Sequence, residues 1–245
     1  CGAFNKKEQK SLFFHMISYI EDMPPKRNAS KWRNDMEDTQ LSLKNVSFSY
    51  HSQSGEVRAL DSVSFHVRAG EFVAIVGPSG CGKSTILSLI AGLLKPESGD
   101  ITFYTEDPHD KKPGIGYMLQ RDHLFEWRSV YRNIILGLEI NHQLTPEKKE
   151  KVLAMAEDYG LTPFLSKKPS ELSGGLKQRA ALVRTMAMEP DILLLDEPFS
   201  ALDYQTRLNV SADICRIIRS AQKTAILITH DLSEAISLSD RVIVL

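Results

Sequence analysis

The sequence predicts an α/β fold: a core of mostly parallel sheet, preceded by a small antiparallel β subdomain and interrupted by an inserted helical subdomain. Three observations predict it. Apolar residues alternate with a period of two between Leu41 and Val67, the pattern of strands with one buried face. Continuous apolar runs recur at Phe72 to Val76, Ile192 to Leu195 and Ala225 to Thr229, as expected of parallel strands buried on both faces. Between Gln120 and Ser173 the patterning turns helical.

Residues 1–35 are rich in Lys, Asn, Ser and Pro, hold one short apolar segment from Leu12 to Ile20, and begin with Cys1. They read as a disordered or non-native extension, with a start at Met36. The remainder divides into a core with its β subdomain (36–119 and 174–245) and the helical insertion (120–173). Leu41, Leu43, Val46, Phe48 and Tyr50 form one side of the antiparallel pair. Val63, Phe65 and Val67 form the other, across a Ser-rich turn containing Gly55. The Phe72 strand leads through a Gly-rich turn into a predicted helix from Thr85 to Leu94, closed by Pro96. In the insertion, Thr145-Pro146 reads as an N-cap followed by proline in the first helical position, with Val152, Leu153, Ala156 and Tyr159 on one face. Arg241 to Leu245 begins a further strand.

Composition excludes several classes. The 245 residues carry 30 Lys+Arg against 31 Asp+Glu, a net charge of −1, with 42% apolar and 25% charged residues. Such a chain buries a sizeable core and is neither disordered nor collagen-like. The neutral balance argues against a strongly basic nucleic-acid binder. Cys1, Cys81 and Cys215 are too far apart for a disulfide framework or a metal-binding pair, so a reducing compartment is expected. The longest apolar stretches are about nine residues, against the roughly 20 that a membrane-spanning helix needs.

Gly77-Pro-Ser-Gly-Cys-Gly-Lys83-Ser84 fits G-x-x-x-x-G-K-[ST] between a strand and a helix, a nucleotide phosphate loop that by itself permits kinases, GTPases, motor proteins and many others. Its glycines let the backbone curl until successive N–H groups face phosphate oxygens, and the helix N-terminus adds partial positive charge. Lys83 is expected to reach the β and γ phosphates, and Ser84 to ligate Mg²⁺. Asp196 and Glu197 close a buried strand. There an aspartate holds Mg²⁺ through water, and a glutamate orients or deprotonates the attacking water. Leu172-Ser-Gly-Gly-Leu-Lys-Gln-Arg179 opens another helix with a second nest of amides. Two chains placed head to tail could each lend that nest to the other's nucleotide.

From about Leu41 to Leu245 the sequence resembles the ATP-binding subunit of an ABC transporter, on the strength of the Leu172-Ser-Gly-Gly element and of Asp196-Glu-Pro-Phe-Ser-Ala-Leu-Asp203. The resemblance implies a P-loop NTPase core and an ATPase that uses ATP and Mg²⁺. It places ATP against Tyr50, which stacks on adenine, and against Gly77, Pro78, Ser79, Gly80, Cys81, Gly82, Lys83, Ser84 and Thr85. Ser84, Asp196 and Gln120 would hold the metal; Gln120 would also sense the γ phosphate and the membrane subunit. Ser173, Gly174 and Gly175 would close on the opposite protomer's ATP, Asp203 would line the dimer seam, and His230 would contact the γ phosphate beside Glu197. The implied partners are a second copy or a paralogous ATPase, transmembrane permease subunits and, indirectly, an extracytoplasmic solute-binding protein. Nucleic acid is not among them, and the subunit would sit at the cytoplasmic face of the membrane. Leu176 stands where the family usually has glutamine and nitrate, sulfonate and taurine importers often have methionine, so an apolar side chain is within that subgroup's range; Leu124-Phe-Glu-Trp-Arg-Ser-Val130 resembles a stretch of the same subgroup, with Glu126 in place of its proline. Related subunits run on beyond the element at Leu245, so a truncated C-terminus is expected.

Some readings stay open. Trp127 either anchors the groove for the membrane partner or packs in the core. Cys81 is either a reactive thiol at a helix N-terminus or a small filler, whereas Cys215 is expected in the core. A soluble relative acting on nucleic acid or ribosomes, or a binding-only regulatory cassette, is the alternative function.

Overall fold

The computed structural model describes residues 38–52, 55–104 and 113–245; the expectations about residues 1–35 and Met36 lie outside them. Among the described residues two sheets form. The antiparallel sheet has the order β2-β1-β4, with β1 at Thr39–Ser52, β2 at Gly55–Arg68 and β4 at Ser98–Phe103. Leu41 and Leu43 of β1 oppose Val67 and Phe65 of β2, so the apolar alternation read in the sequence becomes one buried face. Strand β4 was not legible as a third member. Its apolar content is Ile101 and Phe103, and its second residue is Gly99 at φ +80°, pressed so closely on Asn45 that a Cβ would meet that carbonyl oxygen at 2.2 Å.

The second sheet is parallel, in the order β5-β6-β7-β3-β8. Strand β3 spans Phe72–Val76, β5 Ile115–Met118, β6 Ile192–Asp196, β7 Thr224–Ile228 and β8 Arg241–Val244. All residues of β3, β6 and β7 are buried, which is why these runs lack polar alternation. Their side chains divide between the two faces. Leu193, Leu195, Ala225 and Leu227 join one apolar cluster. Ile192, Leu194, Ile226 and Ile228 join the other, which includes Leu41 and Leu43 of the antiparallel sheet.

That second face is also covered by α1 (Lys83–Ile90), whose Ile86, Leu87, Leu89 and Ile90 enter the cluster. The helix is shorter than predicted. It ends at Ile90, and Gly92 at φ +72° turns the chain while the Leu93 and Leu94 amides donate to the Ser88 carbonyl, a left-handed termination that precedes Pro96. On the opposite side α5 (Gly174–Met186) packs by β5, and α2 (Val130–Ile134), α3 (Leu136–Ile140), α4 (Pro146–Asp158) and α6 (Tyr204–Ser220) pack on α5, all contributing to the first cluster. Thr145 caps α4 by accepting from the Lys148 amide, with Pro146 in its first turn. Val152, Ala156 and Tyr159 are buried as expected, but Leu153 is 43% exposed. It lies at the edge of the apolar stripe, which is narrower than the sequence suggested. Helix α7 (Leu232–Leu238) packs Ala235 against Ala74 and Val76.

Candidate active site

In open α/β sheets ligands bind outside the carboxyl ends of the strands. Here β3 ends at Val76, β5 at Met118, β6 at Asp196 and β7 at Ile228. The phosphate loop, Gln120, Glu197 and His230 therefore follow four strands of one sheet and meet along one edge.

The loop's curvature depends on its glycines. Gly80 has φ +82° and Gly82 φ +95°, and a Cβ on Gly82 would lie 2.5 Å from the Ala59 carbonyl oxygen. Helix α1 begins without a side-chain cap or an acidic residue in its first turn, leaving its amides and dipole to an anion. The Lys83 ammonium is buried and donates to the carbonyls of Gly77 at 2.9 Å and Pro78 at 2.8 Å, with the Cys81 Sγ 3.8 Å away. Pro78, Ser79 and Gly80 form the exposed crest of the loop. Tyr50, 47% exposed, stands edge-on to Phe48, and its hydroxyl lies 3.2 Å from Thr85 Oγ1.

Two carboxylates sit beside the loop. Ser84 Oγ donates to Asp196 Oδ1 at 3.1 Å, and Tyr117 Oη donates to Oδ2 at 3.4 Å. Burial pushes the Asp196 carboxyl up from its ordinary value; the Ser84 hydrogen bond opposes this and the charge of Glu197 adds to it. Glu197 accepts from Gln120 Nε2 at 3.3 Å, and its Oε2 lies 3.2 Å from His230 Nδ1. Its backbone is held at φ +44° by the Glu197 amide, which donates to the Ile228 carbonyl, and by its own carbonyl, which accepts from the Ser200 amide and hydroxyl. A left-handed conformation at a residue with a side chain is a strained one that its surroundings must enforce. The Ser84 hydroxyl and Asp196 carboxylate are hard oxygen donors set side by side, a donor set that fits Mg²⁺.

Ser173 caps α5, its hydroxyl accepting from the Leu176 amide, and Asp203 caps α6 by accepting from the Thr206 amide at 3.0 Å. The two turns are packed together. A Cβ on Gly174 would meet Leu202 at 3.0 Å, and one on Gly175 would meet Thr206 at 3.1 Å. Among the described residues no hydrogen bond or ion pair joins Ser173, Gly174, Gly175 or Asp203 to the phosphate loop. The predicted residues thus form two groups: Tyr50, the loop, Gln120, Asp196, Glu197 and His230 in one, the Ser173 turn with Asp203 in the other.

Trp127 is 74% exposed and leans on the Phe125 ring at 4.7 Å, so the core-packing alternative does not hold. Cys215 is buried and Cys81 half-buried. Two contributors escaped the sequence reading. Tyr117 opposes Leu194 across β5 and β6, and Asp196, two residues on, shares that face; only strand pairing reveals it. The Thr229 hydroxyl accepts from the Asp231 amide at 3.0 Å and donates to Glu234, bracketing His230.

Comparison with known proteins shows the family. The family model described as ABC transporter matches residues 60–200. The chain is 46% identical over 202 residues to YtlC of Bacillus subtilis, an ABC transporter ATP-binding protein, covering 82% of this chain and 78% of that protein. It is 38% identical over 208 residues to the taurine import ATP-binding protein TauB of Jannaschia sp., covering 84% and 78%. The dimeric post-hydrolysis structure of the ATP-binding cassette MJ0796 with ADP and Pi superposes with a TM-score of 0.70 at 32% identity, covering 84% of this chain and 94% of that one. With the phosphate loop, the paired carboxylates and the second glycine turn on one such scaffold, the chain belongs to the ABC transporter family, as an ATP-binding ATPase subunit.

Proposed function

We propose that two copies of this chain bind two ATP molecules at a head-to-tail interface and drive import of a small solute, in the class of nitrate, sulfonate or taurine, through transmembrane permease subunits. One observation carries the reading: Gln120 and His230 converge on the Glu197 carboxylate next to the Ser84–Asp196 pair.

In this reading Lys83 exchanges the Gly77 and Pro78 carbonyls for the β and γ phosphates, while the first-turn amides of α1 take the remaining oxygens. The Tyr50 ring supports the base, worth roughly 1–3 kcal/mol in stacking. Ser84 and Asp196, with Gln120, hold Mg²⁺, which neutralises charge on the phosphate oxygens. Glu197 orients the attacking water and accepts its proton, and His230 and Gln120 fix that carboxylate from both sides. The second copy contributes the amides of its Ser173–Gly175 turn, with Asp203 at the seam, to the developing negative charge. Because these two groups stand apart within one chain, each nucleotide is completed by a neighbour. Closure is favoured only while ATP occupies both faces, so binding shifts the population toward the closed dimer.

The exposed Phe125–Trp127 ring pair, close in sequence to Gln120, supports contact with the permease. Among the described residues no helix is long and apolar enough to cross a membrane, which fits a subunit docked at the cytoplasmic face and reached only indirectly by an extracytoplasmic solute-binding protein.

The test is size exclusion with light scattering on full-length Glu197→Gln protein, beside ATPase turnover of the parent. The variant is expected to dimerise with ATP and to lose about 10²–10⁴ in kcat. A variant that stays monomeric in ATP, or turns over like the parent, overturns the mechanism.

A further inference from the structure

One side chain outside the groups above touches the segments carrying both. Arg207 lies in the first turn of α6, just after Asp203, and about a fifth of its side chain is exposed. Its Nη2 donates to the Leu202 carbonyl at 3.2 Å, in the turn that presents Asp203 and packs on Gly174. Its Nη1 stands 3.7 Å from Asp231 Oδ2, directly after His230. Its Nε is buried with no hydrogen-bond partner, so the two Nη groups make the fork's contacts.

Asp231 divides its oxygens between two tasks. Oδ1 caps α7, accepting from the Ser233 amide at 2.9 Å and the Glu234 amide at 3.2 Å, and Oδ2 faces Arg207. The remaining charged group of the cluster, Glu234, is held by Thr229 through its Oε2. A planar guanidinium can grip two acceptors on separate segments at once; an ammonium is a point charge without that fork.

We propose that Arg207 is a positioning residue that ties the Leu202–Asp203 turn to the His230–Asp231 turn, so that the seam and the histidine move as one unit during turnover. This rests on the proposed roles of His230 and Asp203, but the tie itself is measurable without them.

Hydrogen exchange on the full chain reads the tie directly. Asp231→Asn keeps the Oδ1 cap and removes the charge facing Arg207. It is expected to speed amide exchange in residues 199–203, across the gap, by about threefold or more. Arg207→Gln is expected to speed both segments, and Arg207→Lys to restore the Asp231 side more than the Leu202 side. Unchanged exchange in 199–203 of a folded Asp231→Asn protein overturns the proposal. In turnover, each single variant is expected to lose about tenfold in kcat with KM for ATP within about twofold. The double variant is expected to lose no more than the worse single; losses that multiply also overturn the proposal. A Glu197→Gln protein as active as the parent would overturn the site reading alone, leaving the exchange results to decide the tie.

Discussion

Burial separates the chemistry of the two described cysteines. Cys215 is enclosed in α6, and burial pushes its thiol up to about 12, so it stays protonated near neutral pH and reacts poorly. Cys81 is half-buried in the phosphate loop with the Lys83 ammonium 3.8 Å away. Alkylation near neutral pH is expected to label Cys81 and not Cys215, to abolish turnover, and to be slowed by ATP. Peptide mass spectrometry with parallel ATPase assays checks this; labelling that ATP does not slow counts against it. At this scale the sequence was legible wherever chemistry dictates both residue type and spacing. Lys83, Ser84, Asp196 and Glu197 sit in short stretches whose job admits few substitutes. Tyr117 and Thr229 were not legible. Their partners come from strand pairing and a loop turn, and nothing in a tyrosine's immediate neighbours says which carboxylate it will face.

Among the elements, the segment from Phe125 to Ser129 is gathered by one side chain, beside its own Arg128-to-Phe125 backbone hydrogen bond and the Arg128–Glu139 pair. Asn133 is fully buried in α2; its Oδ1 accepts from the Phe125 amide at 2.7 Å, and its Nδ2 donates to the carbonyls of Phe125, Arg128 and Ser129. This holds Trp127 in solvent against the apolar pull of the core. Asn133→Leu is expected to lower stability by about 2–3 kcal/mol, because the freed backbone groups lose their partners, and to change Trp127 fluorescence. Thermal melts and emission spectra read both. The helical insertion was legible as helical, since its caps and apolar spacing are local signals. The end of α1 at Ile90 was not, because Gly92 at φ +72° overrides an apolar run that continues to Leu94. Strands β4 and β5 were missed for a related reason: each is short, and pairing with neighbours, not propensity, makes it a strand.

Across the whole molecule the two ends of the parallel sheet have different work. The carboxyl edge carries the site, and the amino edge is cross-linked by polar side chains. Arg241, opening β8, donates from Nε to Glu71 Oε1 at 2.9 Å and from Nη2 to the His66 carbonyl in β2, binding the two sheets together. Thr224, opening β7, accepts from the Gly70 amide at 2.8 Å and donates to Gln40 in β1. Burial alone would raise the Glu71 carboxyl, but the hydrogen bond and charge of Arg241 outweigh it and hold the group below its ordinary value of 4.5. A carboxyl depressed in the folded state stabilises above its unfolded value and loses that contribution as pH falls through the folded one. Glu71→Gln is therefore expected to cost about 3 kcal/mol at neutral pH. The gap to the parent should narrow below about 4.5 as the parent's own carboxyl takes up its proton. Denaturant titrations of both proteins across that range test it; a gap that does not change with pH refutes the assignment.

The left-handed backbone at Glu197 has a consequence for how such a protein ages under mutation. The conformation disfavours every residue with a Cβ by about 1–2 kcal/mol relative to glycine, so replacing the glutamate by glycine relaxes the chain at the moment it silences the chemistry. Heat resistance and turnover thus pull this codon in opposite directions. The strain at this position is the cost of presenting a carboxylate there, a trade of stability for activity.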